Sequence, residues 1–496
     1  MAVRTHASYS LPFTLSESPF VTSRVPVCPH AGGVGLCELV QHLSMFDYVC
    51  VSGKLSVVEY ASHLHEHFLN PVQVKNGYYQ VPLNKQPDYS CSYIILKTDG
   101  EFEGHGFTFT VGRGNEIVCC AVKSLSKLVV GTKIKDIYKD FGMFWRQLTS
   151  DDQMRWIGPE KGVIHLATAA IVNALWDLWA KIEGKPLWKL LVDMDPQQLV
   201  SVIDFRYIKD VLTPEEAVEL LQKMKKGKEE RESHLLKEGY PAYTTSCGWL
   251  GYPDDKIRQL CREALAEGFT QFKAKVGSNL EDDKRRCQII REQIGFNNVL
   301  MVDANQKWEV QEAIDWMKEL AEYKPLWIEE PTSPDDIAGH ALIGQNLRPL
   351  KIGIATGEQC QNRIMFKQFL QGKAMDFCQI DSCRLGGVNE NLAVILMAAK
   401  FKIPVCPHAG GVGLCELVQH LSMFDYICVS GKLRVIEYVN HLHEHFLDPV
   451  QIRNGCYQVP LEPGYSSEMK ASSLEEFEYP NGSEWQKLSA DGTITS

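Results

Sequence analysis

Phe272-Lys273-Ala274-Lys275-Val276 is the stretch on which the reading of this chain turns. Alternation with period two puts both lysines on one face of a short strand and the apolar residues on the other. Two lysines on a solvated edge strand would look the same, so the segments downstream decide between the two. Three further apolar segments end in acid: Val302-Asp303-Ala304-Asn305, Trp327-Ile328-Glu329-Glu330-Pro331 and Ala355-Thr356-Gly357-Glu358. Any one of these carboxylates could cap the next helix, but three in succession fit that reading poorly.

Working outward, short apolar strands are expected near 242–246, 271–276, 299–305, 326–329, 353–358, 376–381, 404–407 and 426–430. Helical patterns at 254–267, 280–294 and 310–323 lie between them. Eight such units over about 200 residues fit a (β/α) barrel better than an open sheet. In a parallel barrel the catalytic groups project from the C-terminal strand ends. Asp303, Glu329 and Glu358 then converge, and their repulsion calls for a cation; hard oxygen ligands with room for water and substrate suit Mg²⁺. Of the adjacent glutamates only one is expected to face inward, and Glu329 is the choice. Lys273 and Lys275 are expected to repel each other, lowering the pKa of at least one and suiting it to act as a base. The sixth strand ends Gln379-Ile380-Asp381 and the seventh leads into Cys406-Pro407-His408. Asp381 can therefore fix the His408 tautomer and raise its basicity. Glu437 is placed just after the eighth strand.

Upstream, 93–97 and 106–111 read as strands, 115–128 and 164–181 as helices, and the charged stretch 225–232 as a solvated helix or insertion. The whole chain of 496 residues is 45% hydrophobic and 23% charged with a net charge of −11, which is ordinary globular usage. An acidic balance argues against general binding to nucleic acid or an anionic membrane. The 16 cysteines are too sparse for a disulfide scaffold and are read as reduced thiols of an intracellular protein. No run of about 18 apolar residues free of charge is seen, so no membrane span is expected.

Self-similarity gives an unusual result. Residues 25–83 reappear without a gap as 403–461, identical from Pro26 to Tyr48 against Pro404 to Tyr426. Two copies at opposite ends are not a solenoid. The duplication is either a real translated segment or a misplaced exon copy, and only one copy can fill its place in a closed fold. His30 and Glu59 of the first copy correspond to His408 and Glu437 but lack the lysine and carboxylate strands, so no second active site is expected. Gly410-Gly411-Val412-Gly413 is no dinucleotide fingerprint. His441-Leu442-His443-Glu444-His445 looks metal-like but is read as a polar helix face.

The Lys-x-Lys pair, the Asp/Glu/Glu set and the Asp-His dyad, in this order, resemble the enolase superfamily, specifically its mandelate racemase-like acid-sugar dehydratases. Ile328-Glu329-Glu330-Pro331-Thr332-Ser333-Pro334-Asp335-Asp336, Gly387-Val388-Asn389-Glu390-Asn391 and His408-Ala409-Gly410-Gly411-Val412-Gly413-Leu414-Cys415-Glu416-Leu417 bring the likeness close to the L-fuconate dehydratases. The resemblance implies a modified (β/α)7β-type TIM barrel with an α+β capping domain. It divides the chain into an atypical segment 1–83, a cap at 84–240 lacking its first strand and loop, a barrel at 241–440 and a return segment at 441–496.

It further implies a Mg²⁺-dependent hydro-lyase in which Asp303, Glu329 and Glu358 hold the metal. Lys275 takes the C2 proton, and His408, oriented by Asp381, assists loss of the 3-hydroxyl. Tyr89, Lys273, Glu358, His408, Ala409, Gly410 and Glu437 are the implied contacts to a small acid-sugar substrate. The implied location is the mitochondrion, with the cytoplasm as alternative, and homo-oligomers are common in the fold. The alternatives are a catalytically weak isoform with a binding or regulatory role, or another acid-sugar dehydratase or racemase.

Overall fold

The computed structural model describes residues 73–75, 78–80, 89–112, 114–479 and 481–490. The chain divides into two units, Met1–Leu83 and Asn84–Ser496. Within the first, the described residues are a hairpin of β1 (Gln73–Lys75) and β2 (Tyr78–Gln80), with Val74 opposite Tyr79. His30, Glu59 and the rest of the first copy lie outside the described residues.

The second unit opens with the antiparallel pair β3 (Tyr89–Lys97) and β4 (Glu103–Val111), in register from Tyr89↔Val111 to Lys97↔Glu103. Helix Gly162–Ile182 lies against β4. Gly106 makes this closeness possible, because a Cβ there would sit 2.3 Å from the Ala174 amide nitrogen. This helix is long and apolar enough to cross a membrane, which a search for charge-free runs passes over. Its most apolar stretch is 94% buried, so its length is spent inside the protein. The cap also grips the loop after Asp381 and the helix that follows it, Val388–Phe401: Trp145 Nε1 donates to Gly386 O at 2.6 Å, Asn173 Nδ2 to Ser382 O at 3.0 Å, and Trp176 Nε1 to Asn389 Oδ1 at 2.7 Å.

The parallel strands then run β5 (Tyr240–Gly248), β6 (Gln271–Lys275), β7 (Val299–Asp303), β8 (Trp327–Glu329), β9 (Gly353–Thr356) and β10 (Phe377–Cys378), each hydrogen-bonded to the next. The seventh position is a single bridge, Val405 against Cys378. Expectation and structure part at the eighth. Residues 426–430, read as a strand, fall in the π-helical turn Asp425–Ser430 that continues helix Leu414–Phe424; an apolar run of that length has no periodicity to separate strand from buried helix. The closing strand is β11 (Ile436–Tyr438), parallel to β5, so Glu437 lies within it. Eight parallel positions separated by seven helices make the (β/α)7β arrangement. Tyr243, Met301, Trp327, Ala355, Cys406 and Val435 form an inner cluster. Phe272 and Ala274 join the large core under the helices.

Local sequence explains the helix limits. Leu280–Ile294 starts after Asn279, whose side chain accepts the Asp282 N–H at 3.0 Å, a cap worth about 1 kcal/mol. The charged stretch becomes helix Lys228–Glu238, which buries Leu235. After β11 the chain forms the hairpin β12 (Ile452–Arg453) and β13 (Cys456–Tyr457), and β13 pairs antiparallel with β5. Ile452↔Tyr457 is the register of Val74↔Tyr79 in the other copy. It is therefore 403–461 that closes this sheet. All thirteen cysteines among the described residues are free.

Candidate active site

The strand ends open into a cavity of about 500 Å³ between barrel and cap. Lys273, Lys275, Glu358, Asp381, His408, Gly410, Glu437 and Tyr89 all line it. Asp303 and Glu329 are fully buried beneath, and Ala409 is buried with its N–H donating to Glu437 Oε2 at 2.8 Å. Each residue to which the resemblance gives a catalytic, metal or substrate role is thus brought to one place.

Lys273 is at the centre. Its Nζ is 2.7 Å from Glu329 Oε1, 2.7 Å from Glu437 Oε1 and 3.4 Å from Asp303 Oδ2. Lys275 Nζ donates to Asp303 Oδ2 at 2.5 Å. The lysines do repel each other, and burial also disfavours their charge, yet the carboxylates outweigh both and hold the two ammonium groups above their ordinary pKa. This reverses the expectation drawn from the pair alone. Asp303 is correspondingly held well below the carboxylate range: burial opposes its charge, but Lys275 and Lys273 prevail.

The negative charge is not fully compensated. Burial and the neighbouring Asp303 push Glu329 up to about 8. Glu330 is pushed up to about 9 by burial, Glu358 and Asp303. Alternation predicted that Glu330 would turn away, but β8 ends at Glu329 and Glu330 adopts a left-handed φ of 40°, where strand periodicity no longer applies. Its Oε2 accepts from Gln306 Nε2 at 2.8 Å while its buried Oε1 has no partner. An excess of buried carboxylate with an orphaned oxygen fits a hard divalent cation. As the side chains stand, no three His, Cys, Asp or Glu groups among the described residues close on one point. Lys273 instead bridges Asp303 and Glu329.

Glu358 reaches the cavity through Gly357, whose φ of 142° and closeness to the Gln379 carbonyl leave no room for a side chain. On the other side, His408 Nδ1 lies 2.8 Å from Asp381 Oδ2. Burial works against the imidazolium, but Glu358, Asp381 and Glu437 raise His408 to about 10. Lys275 and His408, on the second and seventh positions of the barrel, therefore face one cavity from different sides. Tyr89 stands between Phe109, at 5.8 Å, and His441, at 5.1 Å between ring centroids. His443 is bonded to Glu416 Oε1 at 2.6 Å and Val439 O at 2.7 Å, in a 3-10 turn rather than on a helix face. Sequence reasoning does not find Asn305, Trp249, Gln359 or Arg384, which also line the cavity; Glu330, set aside in favour of Glu329, is not among the lining residues. The only sequence signal for Arg384 is its place three residues after Asp381.

A capped (β/α)7β barrel with paired lysines, strand-end carboxylates and an Asp-His dyad defines a class of enzymes that work on the carbon next to a carboxylate. Residues 80–192 match the family model of the mandelate racemase / muconate lactonizing enzyme N-terminal domain, and 256–473 that of the enolase C-terminal domain-like family. The chain belongs to the enolase superfamily. Mitochondrial enolase superfamily member 1 of Homo sapiens is 64% identical over 410 residues, which covers 82% of this chain and 93% of the relative. Its crystal structure gives a TM-score of 0.80 at 65% identity, covering 81% of this chain and 92% of the other. L-galactonate dehydratase of Hypocrea jecorina is 58% identical over 401 residues, covering 80% and 89%. L-talarate/galactarate dehydratase of Salmonella typhimurium, in a crystal structure liganded with Mg and L-lyxarohydroxamate, is 27% identical with a TM-score of 0.58, covering 75% and 79%.

Proposed function

We propose that this chain is a Mg²⁺-dependent dehydratase of acid sugars, acting on L-fuconate and its close relative in configuration, L-galactonate. The observation that carries this reading is Lys275 and the Asp381-paired His408 facing one cavity over uncompensated buried carboxylates. Supporting it are the dehydratase relatives and the magnesium in a solved neighbour.

In this reading Asp303, Glu329 and Glu358 hold the metal, which when bound supplies a Lewis acid for the charge that builds on a substrate carboxylate. Removing the proton at C2 of such an acid creates a dianion, and a Lys or His base working with Mg²⁺ is the arrangement by which enolase-superfamily sites meet that demand. Lys275 takes that proton as the neutral amine, the form open to it when Asp303 turns from its Nζ to the metal, and Lys273, in the same buried cluster, offsets the developing charge. His408, held by Asp381, gives a proton to the departing 3-hydroxyl. Glu437 and Tyr89 bind substrate hydroxyls, and Ala409 and Gly410 shape the wall beside His408. The enol product ketonises to a 2-keto-3-deoxy acid, and the site of action is the mitochondrion.

The test is turnover of L-fuconate and L-galactonate by the parent and by Lys275→Ala and His408→Asn. Each variant is expected to lose at least about 100-fold in kcat, the lower range for a positioned acid or base. Retention of parent rates would overturn the assignment. Racemisation is distinguished by product analysis in D₂O: deuterium at C2 of recovered substrate with no keto acid marks a racemase.

A further inference from the structure

We propose that Arg384 reads the substrate hydroxyls beyond the reacting carbons, and so sets a preference for long acid sugars over short ones. This rests on the dehydratase reading. The chemistry of that reaction involves only the carboxylate, C2 and C3, which Lys273, Lys275, His408 and the carboxylates serve. The same cavity is lined by a guanidinium that this chemistry leaves unused.

Arg384 is rigidly based. Its own N–H and that of Cys383 both donate to Asp381 Oδ1, each at 2.7 Å, so its backbone is tied to the carboxylate that orients His408. The side chain makes one bond to the protein, from Nε to the Glu358 carbonyl at 3.3 Å. Five other half-buried or buried arginines are spent differently. Arg363 pairs with Glu160 and Glu390, Arg206 with Glu160, and Arg286 with Asp283. Arg291 and Arg231 donate to several backbone carbonyls. Among the described residues no carboxylate forms a contact ion pair with Arg384; Asp381, to which its backbone is tied, feels its charge at longer range.

A guanidinium offers parallel N–H groups at a fixed spacing, which match two oxygens on adjacent carbons. In a bound polyhydroxy acid the oxygens still free are those at C4 and beyond. Gln359, which follows Glu358 and lines the cavity, adds an amide that can donate or accept. A second substrate carboxylate is the weaker occupant, because the carboxylates of Glu358, Asp381 and Glu437 already line the same cavity.

The experiment crosses substrate length with Arg384→Met in the full-length protein with Mg²⁺. Rates (kcat/KM), or calorimetric Kd for acids turned over too slowly, are compared for six-carbon L-galactonate, its dicarboxylate galactarate and four-carbon D-threonate, which shares the configuration of L-galactonate at C2 and C3. Loss of charge-assisted hydrogen bonds should cost L-galactonate about 10- to 100-fold while D-threonate changes by less than about 3-fold, collapsing the length preference. Equal losses on both acids would mean that Arg384 only holds the loop, and would overturn the proposal. So would a parent that favours galactarate and loses that preference alone. Arg384→Lys, which keeps the charge without the fork, should recover only part of the loss and serves if the Met variant does not fold. A parent that neither binds nor dehydrates any of these acids removes the dehydratase reading itself.

Discussion

Replacing Lys273 by methionine tests the charge balance of the site directly. The side chain keeps nearly the same length, but the ammonium group shared by Glu329, Glu437 and Asp303, at 2.7, 2.7 and 3.4 Å, is lost. All three carboxylates are buried. Removing one partner from a buried ionic cluster costs about 3–5 kcal/mol, because the groups left behind are neither solvated nor paired. With an unfolding entropy of about 2.1 cal/mol/K per residue over roughly 400 residues, that is a fall in Tm of about 3–6 °C. A cation that binds the folded site at 100 times its Kd returns about 2.7 kcal/mol. Thermal unfolding by calorimetry or circular dichroism in EDTA should therefore show Lys273→Met melting several degrees below the parent. Millimolar Mg²⁺ should raise the variant by more than it raises the parent, since the unpaired carboxylates gain most from a divalent ion. A variant that melts within a degree of the parent in EDTA, or an equal Mg²⁺ shift in both, would refute the reasoning.

Gly357→Ala would place a Cβ 2.3 Å from the Gln379 carbonyl oxygen at a φ of 142°, so a loss of at least about 1–3 kcal/mol in urea unfolding is expected, with reduced turnover as Glu358 moves. Acid sensitivity is expected from His420, whose Nδ1 accepts the Trp188 N–H at 3.1 Å and whose pKa burial lowers to about 3. A folded pKa below the unfolded value of about 6.5 means stability present above pH 6.5 and lost, by about 1.4 kcal/mol per unit, as pH falls toward 3; a His420→Gln variant should lack that slope in pH-dependent melts. Ile436→Ala, in the fully buried closing strand, should cost about 2–5 kcal/mol in denaturant unfolding, whereas Val58→Ala at the matching position of the first copy should leave the barrel transition unchanged.

Much of the site is legible in the sequence because its residues lie at strand ends, where period-two alternation and chain order together give a face and a position. Lys273, Lys275, Asp303 and Glu329 need nothing more. Glu330 escapes because the strand stops one residue earlier and a left-handed turn carries its carboxyl back toward Glu358 and Asp303. The direction of the lysine pKa shift is hidden for a related reason: each lysine's neighbours in sequence suggest repulsion, but the partners that dominate are 28 and 56 residues away. The 425–430 segment shows the limit of apolar runs, since a strand and a buried π-helical turn bury the same side chains.

By itself, the sequence determined the barrel, the order of its chemical groups and the existence of two nearly identical segments. Chain order already pointed to the second copy, and tertiary structure decided how it is seated. Residues 403–461 follow directly on helix Val388–Phe401, so Val405 is delivered beside Cys378 and β11 beside β5 at little cost in loop closure. At buried positions they also fill more space: Ile436, Ile427 and Val439 stand where the first copy has Val58, Val49 and Ala61. Each lost methylene in a close-packed core costs on the order of 1 kcal/mol. Tertiary structure likewise placed Arg384 in the cavity, because only folding shows whether a charged side chain has found a partner.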